Sequence, residues 1–209
     1  MNRPLLVPAA LIGLAGVVAA VGVGSHGDRR VVVAGDSLTA QADAQINLVV
    51  KADGWQPIVQ GVSGSSITNR NAVFAWSTRI TELAALHPAV VVLELGTNDC
   101  GNCGDDLDAA IGGLLGPLRH VRRVIWLTAQ TDVEVTRDPG RVNEALRKAT
   151  VRSPNLEVLD MGRHFLGHPE WHTGDGVHFN EAGSTELATF MRAAIDAPPS
   201  PDRVLSTVP

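Results

Sequence analysis

From Arg30 onward, apolar runs of strand length alternate with stretches whose apolar residues recur at helical spacing, the pattern of repeated βαβ units. Arg30 to Ala34 reads as a first strand, and Leu38 to Ala52 as a helix with Ile46, Val49 and Val50 on one face and Gly54 as its stop. Gln56 to Val62 is a second strand. Asn69 to Leu86 is a second helix, closed at His87-Pro88 because the residue before a proline resists the α region. Ala89 to Leu95 is almost unbroken Val and Leu, as expected of a central strand covered on both faces, and it ends on Gly96. Asp105 to His120 follows as a helix weakened by Gly112-Gly113 and Gly116-Pro117. Arg123 to Ala129 is a fourth strand, Asn143 to Val151 lies within a fourth helix, and Leu156 to Asp160 is a fifth strand. Met161 to Val177 shows no period and reads as a long loop, of the kind that carries function. Asn180 caps a last helix running to about Asp196, with Leu187, Phe190, Met191 and Ala194 facing inward. The pattern predicts an α/β fold: a three-layer α/β/α sandwich around a doubly wound, five-stranded parallel sheet of flavodoxin-like order. It forms one domain over residues 29–196, with its ligand site at the carboxyl ends of the strands.

The two ends depart from this alternation. Arg3 is followed by an uncharged run from Pro4 to Ser25, which reads as a secretory signal or membrane anchor over residues 1–25, with membrane association through residues 4–24. A buried core helix is the weaker reading, because the run lies at the extreme terminus. Export is therefore expected, to the outside or the cell envelope. The tail, residues 197–209, carries Pro198, Pro199, Pro201 and Pro209 and reads as flexible. A net charge of -5, with 17 basic residues scattered except for pairs such as Arg29-Arg30 and Arg122-Arg123, leaves no electrostatic footprint for nucleic acid.

Polar clusters follow the strands: Gly35-Asp36-Ser37, Ser63-Gly64-Ser65, Gly96-Thr97-Asn98-Asp99, and Asp175 to His178 after the fifth strand. In a doubly wound sheet these turns open on one edge and can converge. A serine hydroxyl is a poor nucleophile at neutral pH, so Ser37 matters only if a base and oxyanion donors meet it. His178, three residues after Asp175, can be a base whose tautomer a carboxylate fixes. The Gly64 N–H can approach an oxyanion closely, Asn98 can offer its side-chain amide, and the Ser37 N–H starts a helix. Asp36 then holds the turn. Taken singly, each residue has a bland explanation as a turn glycine, a helix cap or a surface histidine; taken together they supply every part of a serine hydrolase.

Gly35-Asp36-Ser37-Leu38, Gly64 within Val62-Ser63-Gly64, Gly96-Thr97-Asn98-Asp99 and Asp175-Gly176-Val177-His178 resemble, in order, the sequence blocks of the SGNH/GDSL hydrolase superfamily of esterases and lipases. The resemblance covers roughly Arg30 to Ile195. It implies esterase, lipase, thioesterase or carbohydrate O-deacetylase activity, with Ser37, Asp175 and His178 as catalytic triad and Ser37, Gly64 and Asn98 as oxyanion hole. It implies a small-molecule, lipid or carbohydrate ester as substrate and calls for no cofactor and no metal. Acyl transfer to a sugar hydroxyl uses the same residues.

Cys100 and Cys103, in Cys-Gly-Asn-Cys directly after Asn98-Asp99, depart from those blocks. In an exported protein a local disulfide is the simplest reading; half a zinc site, a redox pair and two free thiols compete with it. Zinc wants four ligands and no second cysteine pair exists, while a redox protein leaves the other three turns unexplained. His164, His168 and His172 are spaced by four, but Pro169 interrupts any helix that would align them on a metal. A non-catalytic binding module on the same fold leaves the complete triad without a use. Trp55, Trp76, Trp126 and Trp171 are candidates for pocket walls, at least two of them for the core, and Trp171 stands closest to Asp175 in sequence. Glu94 puts a charge inside an otherwise apolar strand; a place at the strand's polar end near the site and a pairing with an arginine are both open, and the sequence does not decide between them.

Overall fold

The computed structural model describes residues 29–68, 74–99, 106–130 and 139–205. Five principal strands, β1 (Arg30–Gly35), β2 (Gln56–Gly61), β3 (Val90–Glu94), β4 (Arg123–Leu127) and β5 (Leu156–Leu159), pair in parallel in the order β2-β1-β3-β4-β5. Residues Val31 to Val33, Val90 to Leu93 and Val124 to Leu127 are buried, as required of strands covered on both faces. Alternation along them divides the core. Val32, Ala34, Val91, Leu93, Val124 and Trp126 pack on one face against α3 (Trp76–Ala84), α4 (Asp106–Leu115) and α5 (Pro139–Ala149). Val31, Val33, Val90, Val92, Ile125 and Leu127 pack on the other against α1 (Ser37–Gln41), α2 (Asp43–Ala52), α6 (Met161–Phe165) and α7 (Glu181–Asp196). The three-layer expectation holds.

Several elements differ in detail from the pattern-based reading. The helix expected from Leu38 breaks at Ala42 into α1 and α2, with α1 pinned to β3 through Thr39. The helix expected to run to His120 stops at Leu115 because Pro117 has no N–H to continue it, and a 3-10 turn follows over Pro117–His120. The expected loop from Met161 contains α6 and a 3-10 turn over Pro169–Trp171; each is about one turn, too short to show a period. The tail expected to be flexible contributes a two-residue strand, β6 (Val204–Leu205), which extends the sheet to six by pairing Val158 with Val204 and Leu159 with Leu205. Asn180 caps α7 as expected, its side-chain oxygen accepting from the Gly183 N–H at 3.0 Å.

A buried ion pair ties the far side of the sheet together. Arg123 on β4 donates to both carboxylate oxygens of Glu157 on β5, at 2.9 and 2.8 Å, and to the carbonyls of Ala194 and Ala197 at the end of α7. Among the described residues no helix is long and apolar enough to cross a membrane; residues 1–25 lie outside the described residues.

Candidate active site

The chain leaves β1, returns through β2 on one side of it, and crosses over to β3 on the other. The strand order therefore reverses between β1 and β3, where the carboxyl ends of a doubly wound sheet open a crevice. Gly35 and Glu94 are register partners at that point. A Cβ on Gly35 would fall 2.8 Å from the Glu94 carbonyl and inside the Thr39 side chain, so only glycine allows the turn to pass so close to β3. Asp36 follows with its N–H donated to the Glu94 carbonyl at 3.1 Å, and its Oδ1 accepts the Leu38 N–H at 3.1 Å. That cap starts α1 and sets Ser37 at the first helical position.

Ser37 Oγ lies 3.0 Å from His178 Nε2, and His178 Nδ1 lies 2.6 Å from Asp175 Oδ2. The carboxylate is itself held on its other oxygen. Asp175 Oδ1 accepts the Val177 and His178 N–H groups, both at 2.9 Å, and the Thr173 hydroxyl at 2.8 Å. These bonds, the His178 ring foremost, hold the Asp175 carboxyl well below the usual carboxylate range. An ionised carboxylate only accepts, so Nδ1 carries the ring proton and Nε2 of the neutral imidazole faces Ser37 with a lone pair. The loop owes its shape to local pairing: His172 bridges Phe179 in antiparallel fashion, and the Thr173 N–H donates to the His178 carbonyl at 2.7 Å. Thr173, which the sequence did not single out, thus joins both ends of this loop and also holds the acid.

On the other wall, Gly64 has φ +75, in the left-handed region that side chains disfavour. Asn98 Nδ2 donates to the Ser65 carbonyl at 2.9 Å, which leaves its second amide hydrogen for another acceptor and joins the turns after β2 and β3. Asp99, buried beside it, does more than the helix cap its position suggested. Its Oδ2 accepts the Ile67 N–H at 2.9 Å, and its Oδ1 accepts the Thr68 N–H and hydroxyl at 3.0 and 2.9 Å. The Ser65–Thr68 backbone is thereby fastened to the Asn98 turn.

The remaining candidates have other occupations. Trp76 and Trp126 are core, with their indole N–H groups on Ser65 Oγ and the Leu95 carbonyl. Trp55 lies at the amino end of β2 and donates to Asp196. Trp171 is stacked on His168 at 3.9 Å, so the aromatic residue nearest the Asp175 loop is engaged within its own segment. His164, His168 and His172 hydrogen-bond to Glu186, Glu170 and Gln130 respectively. Cys100 and Cys103 lie outside the described residues. A cavity of about 550 Å³ beside Ile111, Arg119 and Arg152 opens at the amino edge of the sheet, next to the residues that precede β5, away from the strand-end turns. A cavity of about 280 Å³ adjoins the Asp175 loop, lined by His168, His172, Thr173, Gly174 and Gly176.

Comparison with known proteins places the fold and the family. Residues 102 long in alignment, 48% of this chain, are 30% identical to the O-acetyltransferase OatA of Staphylococcus aureus, but they span only 15% of that larger protein. Among solved structures, the C-terminal catalytic domain of Streptococcus pneumoniae peptidoglycan O-acetyltransferase A superposes with a TM-score of 0.58 at 18% identity, covering 80% of this chain and 95% of that domain. The Clostridium thermocellum family 3 carbohydrate esterase gives 0.59 at 16% identity, over 77% of this chain and 91% of the other. At these identities the superpositions speak for the fold. Residues 33–185, from within β1 into α7, match the model of the GDSL-like Lipase/Acylhydrolase family, and the chain belongs to that family.

Proposed function

We propose that the protein is a serine esterase that cleaves a carboxylic ester through an acyl-enzyme, with Ser37, His178 and Asp175 as its triad. The observation that carries this reading is the unbroken chain Ser37 Oγ to His178 Nε2 to Asp175, at 3.0 and 2.6 Å, built at the strand-order reversal. Ser37 Oγ attacks the ester carbonyl while His178 Nε2 takes its proton, and Asp175 stabilises the imidazolium. The tetrahedral oxyanion is received by the N–H groups of Ser37 and Gly64 and the free amide hydrogen of Asn98. Each such donor is worth about 3 kcal/mol of transition-state stabilisation. His178 returns the proton to the leaving alcohol, which departs as the C–O bond breaks. Water, deprotonated by the same histidine, then releases the acid from Ser37.

An acceptor hydroxyl in place of that water makes the same residues an acyltransferase. The sequence similarity to an O-acetyltransferase supports this second outcome, and a carbohydrate esterase of the same fold supports an acetylated sugar as one substrate class. The Pro4 to Ser25 run supports action outside the cytoplasm, and the Cys100–Cys103 pair fits a disulfide there. A panel of acyl esters of graded chain length, assayed beside acetylated polysaccharides with and without sugar acceptors, tests the reading. Release of free acid that disappears in Ser37→Ala is the expected result. Activity confined to long acyl chains removes the acetylated-sugar branch, and turnover by a folded Ser37→Ala overturns the serine mechanism.

A further inference from the structure

Glu94 ends β3 with a carboxyl group that the reaction above does not use. It is 2% exposed, and Asp36, its neighbour across the sheet, is 0% exposed. Glu94 Oε2 accepts the Thr39 hydroxyl and N–H at 2.9 and 3.2 Å. Asp36 Oδ1 accepts the Leu38 N–H, Asp36 Oδ2 is buried, and Thr97 is a further polar side chain beside this carboxyl. The pairing of β1 with β3 brings the two acids together: Gly35 faces Glu94 in register, and the Asp36 N–H donates to the Glu94 carbonyl at 3.1 Å. Two carboxylates cannot meet through lone pairs in a buried site; a proton between them turns the repulsion into a charge-assisted hydrogen bond.

We infer that Glu94 is a neutral acid that donates its proton to Asp36, and that this shared proton positions the turn that presents Ser37. Burial is the main cause that pushes both acids upward, Asp36 to about 6 and Glu94 well above the ordinary value, with their mutual repulsion adding to the shift of Glu94. Asp36 is then the anion at neutral pH, and Glu94 keeps the proton. The charged groups around the pair agree with that assignment. Asp99, on the turn after β3, adds a further negative charge that disfavours a second ionisation, and the Asp175–His178 pair stands above Ser37. Arg123, on the neighbouring β4, lies at the opposite end of its strand, in register with Val90, and is occupied by Glu157. No cation of the described residues compensates the pair. The pair also closes a loop of bonds around the nucleophile: Asp36 caps α1 ahead of Ser37, and Thr39, two residues after it, hangs from Glu94. Glu94 is a positioning residue that reaches Ser37 only through Asp36 and Thr39.

The role in catalysis rests on the serine-esterase reading; the shared proton does not. Infrared spectroscopy of the intact protein at about pH 8 should show the carbonyl stretch of one protonated carboxyl, because ordinary Asp and Glu are ionised there. The band should be absent from Glu94→Gln, and Asp36→Asn should lower the pH at which it is lost. Gln reproduces the neutral acid, with one donor for Asp36 and one acceptor for Thr39. Glu94→Gln should therefore keep at least about a third of kcat, whereas Glu94→Leu should lose about 10²-fold in kcat with little change in KM, the scale of a misplaced reacting group. A wild-type protein without the band, or a band unmoved by Asp36→Asn, overturns the shared proton. Gln as damaging as Leu, in folded variants, overturns the neutral acid as the positioning group. Absence of esterase activity in wild type counts against the functional reading alone, since the band is read without substrate.

Discussion

Asp175→Asn is the substitution whose outcome follows most directly from the geometry. Asp175 Oδ1 accepts two backbone N–H groups at 2.9 Å and the Thr173 hydroxyl at 2.8 Å, so the amide oxygen of Asn must take that place. The amide nitrogen then replaces Oδ2, 2.6 Å from His178 Nδ1. It presents only hydrogens, so Nδ1 must become the acceptor and the ring proton moves to Nε2, toward Ser37. A histidine in that tautomer has no lone pair for the serine proton. The same tautomer error in a Ser–His–Asp triad costs about 10⁴ in kcat, about 5 kcal/mol of barrier. The loop keeps its three bonds at Oδ1, so the variant should stay folded, with Tm within a few degrees of wild type. The assay is kcat on a short acyl ester, with circular dichroism on the same samples. A folded variant retaining more than about a tenth of wild-type kcat would refute the assignment of Asp175 as the orienting acid.

Asn98→Ala should lower kcat by about 10²- to 10³-fold and change KM little, because the lost amide hydrogen acts on the oxyanion; steady-state kinetics that put the loss in KM instead would contradict the role. The acid pair sets the sign of one pH dependence. Both carboxyls are raised in the folded state, which therefore holds protons that the unfolded chain releases, so their contribution to stability is complete below about pH 4 and is lost as pH rises. The Asp36 share goes by about 6 and the Glu94 share above that, so thermal melts should show Tm falling less between about pH 6 and pH 9 in Glu94→Gln than in wild type. Cys100 and Cys103, if bonded to each other, should give no reactive thiol on denaturation without reductant and two after reduction.

The sheet was legible because strands buried on both faces leave an unmistakable record, Val-Val-Val in β1 and Val-Val-Val-Leu in β3. Three of the four polar turns were legible for the complementary reason: each interrupts that record at a strand's carboxyl end, whereas Asp175 to His178 follows β5 only after α6 and a 3-10 turn. What stayed hidden depends on adjacency between segments distant in sequence. Glu94 read as a charge near the site or as an arginine's partner, because its neighbours Asp36 and Thr39 are brought to it only when β1 and β3 pair. Asp99 read as a cap, because its three donors come from the turn after β2. Thr173 was one polar loop residue among several until the loop closed on Asp175 and His178. β6 escaped for an energetic reason. Two residues in a proline-rich tail carry no periodic signal, and the edge of β5 supplies their hydrogen-bonding partners.

The central claim is that Ser37 is the nucleophile, activated by His178. Labelling with a fluorophosphonate, followed by intact mass and peptide mapping, reads it directly. One adduct per chain on the peptide containing Ser37, abolished in Ser37→Ala and strongly slowed in His178→Ala, is the predicted result. An adduct on another residue, or esterase activity that survives in folded Ser37→Ala, would contradict it.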